Sequence, residues 1–423
     1  MAARHTARLI GVGMTSLNPK PSPSPSRLMQ QALDQALASV GVGLSLKEVT
    51  GLIAIPSLAK PHFMEAHYFA TQVGLLPGKH VQCRTIDTGG AGPVTGLLSA
   101  QRMVTEQGHD LVAVIAGDAV KGLESSEFLK RADATCDVEE GDVVGASGAV
   151  GASKDLLPSP VIPNGYDRFA QYQMARFGLT RSQLAAVSAL MSVMASRHPE
   201  ALTRKPRTVA DVLDAQPVAP VTSVLECARR ADGGAALLVA STRFIERMGL
   251  DKDLGVVVVG GGEASGPLYP PGVSDITEEM FSCEEAAKQA YAEAQVGVRD
   301  IDFFGLYDCF PICLIRAVEA VGLCGKGKGG LYIEHKYNEI MFRLANDPNF
   351  KPQDVFPVNT HGGLQAFGAP WEVPAMYNII EAFHQLTESA GERQVRNARR
   401  ALVYGNGGIF SHSAVAILGN GKY

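Results

Sequence analysis

Short apolar runs alternate with helical stretches along this chain, and the alternation limits the folds open to it. Residues 8–15, 51–56, 81–87 and 111–117 are apolar and rich in β-branched side chains. A stretch of helical character covers about residues 92–107, between the last two runs. This order is typical of βαβ units, so we expect a largely parallel sheet covered by helices on both faces.

The second half of the chain repeats the plan. Strand-like runs lie at residues 255–260, 301–306, 355–359, 401–404 and 414–418, and helical stretches lie at about residues 283–295, 309–321 and 373–387. Each half ends with two adjacent strand-like runs. The pattern therefore indicates an internal duplication of one α/β unit.

Residues 120–224 interrupt the alternation. They are richer in charged and turn-forming residues, and they include helical stretches at residues 166–177 and 182–197. This segment is either a simple insertion or a lid over the functional site. A second insert, at residues 334–352, carries no chemistry that we can read from the sequence.

Composition excludes several classes of function. Hydrophobic residues make up 46% of the 423 residues, enough for a large core, and no apolar run reaches the roughly 18–20 residues of a membrane span. The net charge of −5 argues against nucleic acid as a partner. The seven cysteines form no CxxC pair, so we expect no metal site and a reduced interior.

Three segments in a fixed order carry a family resemblance. They are Tyr307-Asp308-Cys309-Phe310 after a strand, Asn359-Thr360-His361-Gly362-Gly363, and the late Gly405-Asn406-Gly407-Gly408. Together with the duplicated halves and the insertion, they resemble the thiolase superfamily. The nearest branch resembles the sterol-carrier-protein type, in a variant with tyrosine in the first loop that is similar to thiolase-like proteins of trypanosomatids and some bacteria.

The resemblance implies a fold and a ligand. It implies an α/β protein with two βαβαβαββ halves in an α-β-α-β-α layered arrangement, and a homodimer. The first half would comprise residues 1–119 and 225–245, the loop domain residues 120–224, and the second half residues 246–423. Coenzyme A thioesters would be the substrate or ligand, and no cofactor would be tightly bound.

The resemblance also exposes two departures. The positions of the family's nucleophilic and acid–base cysteines correspond to Gly90 and Gly405, so the usual acyl-enzyme cannot form. The backbone N–H groups of Gly90 and Gly407 would still supply one of the family's oxyanion holes.

The other oxyanion hole also departs from the family pattern. Its donors would correspond to Tyr307 and to Ala369, whose methyl group cannot donate. His361 is the candidate to replace the missing donor, directly or through water, and Asn359 is expected to orient its loop. Asp308 is expected to accept backbone N–H groups, and Cys309 is expected to be a buried apolar residue.

Arginines of the insertion are weak candidates for contact with the CoA phosphates. Arg168, Arg176 and Arg181 could bind them, although a solvated helix face is the more common role for each arginine taken alone.

Three functions in lipid or sterol metabolism stay open. The first is stabilisation of a CoA-thioester enolate, with weak decarboxylation of malonyl-CoA. The second is a retro-aldol lyase acting on a side-chain CoA ester beside an OB-fold partner protein. The third is a non-catalytic acyl-CoA carrier.

The N-terminal composition bears on localisation. Basic residues without acidic ones before Asp34 are typical of a mitochondrial transit signal. The alternative is a cytoplasmic protein in which residues 8–15 already form the first strand.

Overall fold

The computed structural model describes residues 6–41, 43–78, 81–136 and 157–421. The first five residues of the proposed transit signal and residues 137–156 of the insertion therefore lie outside the described part. The first α/β unit begins with β1 (Ala7–Met14), α1 (Pro25–Ser39), β2 (Gly51–Ala54), α2 (Glu65–Gln72), β3 (Gln82–Thr85), α3 (Gly92–Thr105) and β4 (Leu111–Ala119).

The insertion follows β4. It contains α4 (Ser125–Ala134), α5 (Val161–Phe177), α6 (Arg181–Ala195), α7 (Val209–Leu213), β5 (Pro217–Ala219) and β6 (Thr222–Ser223). The chain then returns to the first unit with β7 (Asp232–Ser241) and α8 (Thr242–Arg247).

The second unit follows the order of the first with one strand fewer. It contains β8 (Val256–Ser265), α9 (Cys283–Ala294), β9 (Phe303–Leu306), α10 (Pro311–Ala320), α11 (Gly329–Asn346), α12 (Gly363–Ala366), α13 (Pro374–Leu386), β10 (Arg400–Gly407) and β11 (His412–Asn420). The uninterpreted insert at residues 334–352 falls largely within α11.

One predicted strand is wrong. Residues 355–359 form only an isolated bridge between Val358 and Phe304. Pro357 has no N–H to donate, and Asn359 adopts φ 46, which turns the backbone out of the strand direction. The apolar pattern of a strand is present there, but the backbone geometry is not.

The sheet displays the predicted duplication. In the described part of the chain, nine strands are ordered β3-β2-β4-β7-β1-β8-β11-β10-β9. In each unit the first strand pairs antiparallel with the last, and the penultimate strand pairs parallel with the second. The two units join where β1 pairs antiparallel with β8.

Helices α3 and α13 form the central layer. They contact each other, and each contacts strands of both units, including β7 and β10 for α3 and β1 and β9 for α13. Helices α1 and α2 cover the first half of the sheet, and α9 and α10 pack on strands of the second. The arrangement is therefore the predicted α-β-α-β-α.

Prolines define where the three site-facing helices begin. Pro93, Pro311 and Pro374 each occupy the first turn, where a missing N–H breaks no helical hydrogen bond. The residues just before α3 and α10 come from loops that follow strands β3 and β9, and those before α13 come from the loop after α12. Among the described residues, no helix combines the length and apolar character that a membrane crossing requires.

Candidate functional site

Asn359 holds the end of strand β9 in place. Its side-chain oxygen accepts a hydrogen bond from the Leu306 N–H at 2.7 Å, and its side-chain nitrogen donates to the Leu306 carbonyl at 2.7 Å. Asn359 is fully buried, and its left-handed backbone is one that asparagine tolerates. These contacts orient the next residue, Tyr307, as expected of a loop-orienting amide.

The Tyr307 hydroxyl lies against Gly90. A Cβ atom added to Gly90 would overlap the Tyr307 hydroxyl and would lie 2.6 Å from the Asn406 carbonyl oxygen. Tyr307 is buried, and burial together with the charges of Cys309 and Glu372 raises its pKa well above 10. The side chain is therefore a neutral phenol that can donate a hydrogen bond.

The turn at residues 405–408 packs directly on the turn that contains Gly90. A Cβ atom on Gly405 would lie 2.9 Å from Ala91 Cα, and one on Gly407 would overlap the Thr88 carbonyl. Gly89 adopts φ 58, and a Cβ there would lie 2.8 Å from the Gly408 nitrogen. The structure thus brings the regions of Gly90 and Gly407 together and leaves no room for side chains between them.

Tyr166, on α5 of the insertion, is a site residue that sequence reasoning missed. Its hydroxyl donates to the Gly408 carbonyl and accepts from the Asn406 side-chain nitrogen at 2.7 Å. Its ring stacks on Phe310, with centroids 4.8 Å apart. The insertion therefore fixes the glycine turn. A tyrosine 240 residues away carries no sequence signal for this contact.

Asp308 fixes its loop through buried hydrogen bonds to helix α12. Its Oδ1 accepts from the Leu364 N–H at 2.8 Å, and its carbonyl accepts from the Gln365 side chain at 2.9 Å. Burial raises the pKa of the carboxyl to about 7. The expected backbone contact is present.

Cys309 and Cys313 form a buried thiol pair, with Sγ atoms 3.5 Å apart. Burial raises the pKa of Cys313 well above 9, so this thiol is not a thiolate at neutral pH. Packing is thus the simplest role of the pair.

His361 faces a separate cavity. The cavity has a volume of about 210 Å³, and its lining includes His198, His361, His384, Glu381 and Arg393. Burial lowers the pKa of His361 to about 4, and Arg393 lowers it further while Glu381 opposes the shift. The imidazole is therefore neutral, and its described surroundings are the Glu381–Arg393 ion pair and Phe367. Those contacts do not include Tyr307.

Two of the three candidate arginines are engaged within the protein. Arg181 binds Glu226 through two hydrogen bonds of 2.8 and 2.9 Å, and Arg168 donates weakly to the carbonyls of Pro270 and Pro271. Arg176 is exposed, 5.8 Å from the centre of the Phe177 ring. It is the most accessible of the three.

Sequence comparisons point to one superfamily. Residues 271–420 match the family model "Thiolase C-terminal domain-like". An acetyl-CoA acetyltransferase of Methanothermobacter thermautotrophicus is 31% identical over 280 residues, which cover 65% of this chain and 69% of that protein. Sterol carrier protein 2 of Bos taurus is 26% identical over 253 residues, which cover 60% of this chain but only 44% of the bovine protein.

Solved structures share the fold over nearly the whole chain. The "Ltp2-ChsH2(DUF35) aldolase" superposes with a TM-score of 0.74 at 20% identity and covers 99% of this chain and 98% of that chain. A monomeric "SCP2-thiolase like protein type 1" from Mycobacterium smegmatis gives a TM-score of 0.67 at 19% identity, covering 99% and 78%. With the duplicated units described above, the sequence matches establish that the chain belongs to the thiolase superfamily, and sterol carrier protein 2 is among its relatives.

Proposed function

We propose that this protein binds CoA thioesters and stabilises a thioester enolate without forming an acyl-enzyme. The observation that carries the proposal is the Tyr307 hydroxyl, which occupies the space where residue 90 would otherwise hold a side chain. In the resemblance to thiolases, residue 90 corresponds to the nucleophilic cysteine. A hydrogen-bond donor thus takes the place of a nucleophile.

The second glycine position supports the same conclusion. Gly405 corresponds to the acid–base cysteine of the family, and a Cβ there would approach the Ala91 backbone at 2.9 Å. Covalent acyl transfer needs an accessible thiolate. The nearby Cys313 is fully buried and its pKa is raised, so it is a poor substitute.

The remaining groups suit a developing oxyanion. Tyr307 offers a phenolic O–H, and the backbone N–H groups of Gly90 and Gly407 are the further donors that we propose. Each well-placed donor of this kind contributes about 3–4 kcal/mol to a transition state. A thioester enolate is the anion that such donors would stabilise.

We favour retro-aldol cleavage of a β-hydroxyacyl-CoA as the source of that enolate. The Ltp2-ChsH2(DUF35) aldolase shares the fold over nearly all of this chain, and it is a complex of two proteins with aldolase in its name. We therefore propose an OB-fold partner of the DUF35 kind and a lipid or sterol side chain as the acyl group.

Decarboxylation of malonyl-CoA is the second candidate. It produces the same enolate by loss of CO2 and requires no base, so Tyr307 and the backbone donors would suffice for it. Neither reaction requires Gly90 or Gly405 to carry a side chain.

The test uses purified protein with a β-hydroxyacyl-CoA or malonyl-CoA, with and without a DUF35 protein, and follows the products by mass spectrometry. We expect Tyr307→Phe to lower product formation by about 10²-fold or more. Tyr291→Phe is the matched control, because that hydroxyl bonds the Val321 carbonyl away from Gly90. Binding of both thioesters without turnover would contradict the proposal and indicate an acyl-CoA carrier.

A further inference from the structure

Glu372 lies in an unusual stretch of backbone at the entrance to α13. The preceding residue, Trp371, adopts φ 48, a left-handed conformation that is rare for a bulky side chain. The Trp371 ring packs edge-on against Phe128 of α4, with centroids 5.9 Å apart. Such a conformation persists only where surrounding packing enforces it, and it is typical of functional sites.

The carboxyl of Glu372 is turned inward. The residue as a whole is partly exposed, yet its Oε2 is buried and has no hydrogen-bond partner within the described ranges. Two other buried carboxylates are paired with arginines: Glu381 binds Arg393, and Glu226 binds Arg181. A buried carboxyl oxygen without a partner is costly, so its presence calls for a reason.

Glu372 interacts electrostatically with groups of both units, Tyr307 among them. The Glu372 charge acts on Tyr307, which follows β9, and the charges of Asp87 and Asp118 act on Glu372 from the ends of β3 and β4. Asp87 belongs to the loop that leads into Gly90. Glu372 is therefore close to the same end of the molecule as the Tyr307–Gly90 contact.

The two aspartates differ from Glu372 in their engagement. Asp118 accepts hydrogen bonds from the N–H groups of Leu58, Ala59 and Ala119 and from the Ser57 hydroxyl. Asp87 is exposed. Of these three carboxyl groups, only Glu372 has both properties: one of its oxygens is buried without a partner, and its charge acts on Tyr307.

Burial and charge make Glu372 a suitable proton carrier. Burial raises its pKa well above 4.5, Asp87 and Asp118 raise it further, and the Trp371 side chain opposes the shift. A general base or acid works best when its pKa lies near the working pH.

We propose that Glu372 is the acid–base group of the site, transferring a proton between the substrate and the enolate that Tyr307 stabilises. The proposal rests on the proposed function and supplies the base that the glycine at position 405 does not.

The proton transfers of a retro-aldol cleavage balance with one carboxyl group. The Glu372 carboxylate takes the proton of the β-hydroxyl, the Cα–Cβ bond breaks, and the β-carbon becomes a carbonyl. The electron pair of the broken bond passes to Cα and the thioester oxygen, which Tyr307 and the backbone donors hold. Neutral Glu372 then returns the proton to Cα, and the enzyme is regenerated.

The same group would also exchange α-protons of a simple acyl-CoA. We would incubate the full-length protein with acetyl-CoA or propionyl-CoA in D2O and follow deuterium uptake at Cα by mass spectrometry. We expect Glu372→Gln to slow exchange about 10²–10⁴-fold, the usual contribution of a general base. CoA-thioester binding, measured by calorimetry, should persist in this variant.

Glu284→Gln is the matched control. Glu284 is also partly exposed, with a raised pKa and an Oε2 that lacks a partner in the described structure, but it lies against Arg316. We expect this control to lose some stability and to keep the wild-type exchange rate. If Glu372→Gln fails to fold, Glu372→Asp should fold and shift the pH–rate profile of exchange, with Asp87, Asp118, Tyr307 and Trp371 unchanged around it.

The outcomes separate the inference from the proposed function. Exchange by Glu372→Gln at the wild-type rate would overturn the inference. The inference would also be overturned if the wild-type protein cleaves or decarboxylates its substrate but exchanges no α-protons. In either of these two outcomes the proposed function would stand. A wild-type protein that binds CoA thioesters without any turnover or exchange would overturn both.

Discussion

Replacing Gly90 with alanine tests the central contact of the site. An added Cβ would overlap the Tyr307 hydroxyl and lie 2.6 Å from the Asn406 carbonyl oxygen, whereas real Cβ contacts essentially never fall below 3.0 Å. Overpacking of this kind costs about 1–3 kcal/mol, so we expect Gly90→Ala to lower the free energy of unfolding by about 1–3 kcal/mol. In the control Gly92→Ala, the nearest atom is the Ile55 side chain at 3.2 Å, which can shift, so the loss should be smaller.

The assay is a double-mutant cycle followed by chemical unfolding of Gly90→Ala, Tyr307→Ala and the combined variant. Tyr307→Ala removes the hydroxyl that an added Cβ at position 90 would overlap, while the Asn406 carbonyl oxygen stays in place. The cost of Gly90→Ala should therefore be smaller in the Tyr307→Ala background by about 0.5–3 kcal/mol, the usual range of coupling between residues in contact. An equal cost in both backgrounds would refute the inference that the hydroxyl fills this space.

Three further predictions concern the surroundings of the site. Tyr166→Phe leaves the Gly408 carbonyl and the Asn406 amide without their partner, and we expect a stability loss of about 1–3 kcal/mol; an unchanged melting temperature would contradict this. Burial raises the pKa of Asp308 to about 7, so the stability that its bound proton provides is complete below about pH 4 and lost as the pH rises to about 7. The difference in unfolding midpoint between wild type and Asp308→Asn should therefore change with pH over that window, and a constant difference would count against the shifted pKa. Arg316 is buried between Glu278, Glu284 and Glu319, so Arg316→Met should cost about 3–5 kcal/mol in chemical unfolding, and a neutral effect would show that the carboxylates find other partners.

Most elements of the fold could be predicted because hydrophobic periodicity is a local property. The run at residues 111–117 became β4, and the stretch at residues 283–295 became α9, within two residues at each end. The run at residues 355–359 failed because Pro357 and the left-handed Asn359 prevent a strand. Periodicity reports which side chains are apolar, not whether the backbone can pair.

The candidate site was predictable only in part. Tyr307, Asn359, Gly90 and Gly407 were identified from motif order, and the structure brings their segments together. His361 was grouped with them from its place in the same loop, yet it faces the cavity beside Glu381 and Arg393. The direction of a side chain in a glycine-bounded turn depends on packing, which sequence order does not report.

By itself, the sequence determined the two repeated α/β units and the positions that lack a side chain. Residues 90 and 405 are glycines, so neither position can carry a thiol in any tertiary arrangement. Only the tertiary structure decided what surrounds those positions, because Tyr307 reaches them from a loop and Tyr166 from a helix of the insertion. Their convergence depends on how α3, α5 and α13 pack against the sheet, and that packing joins residues up to 240 positions apart.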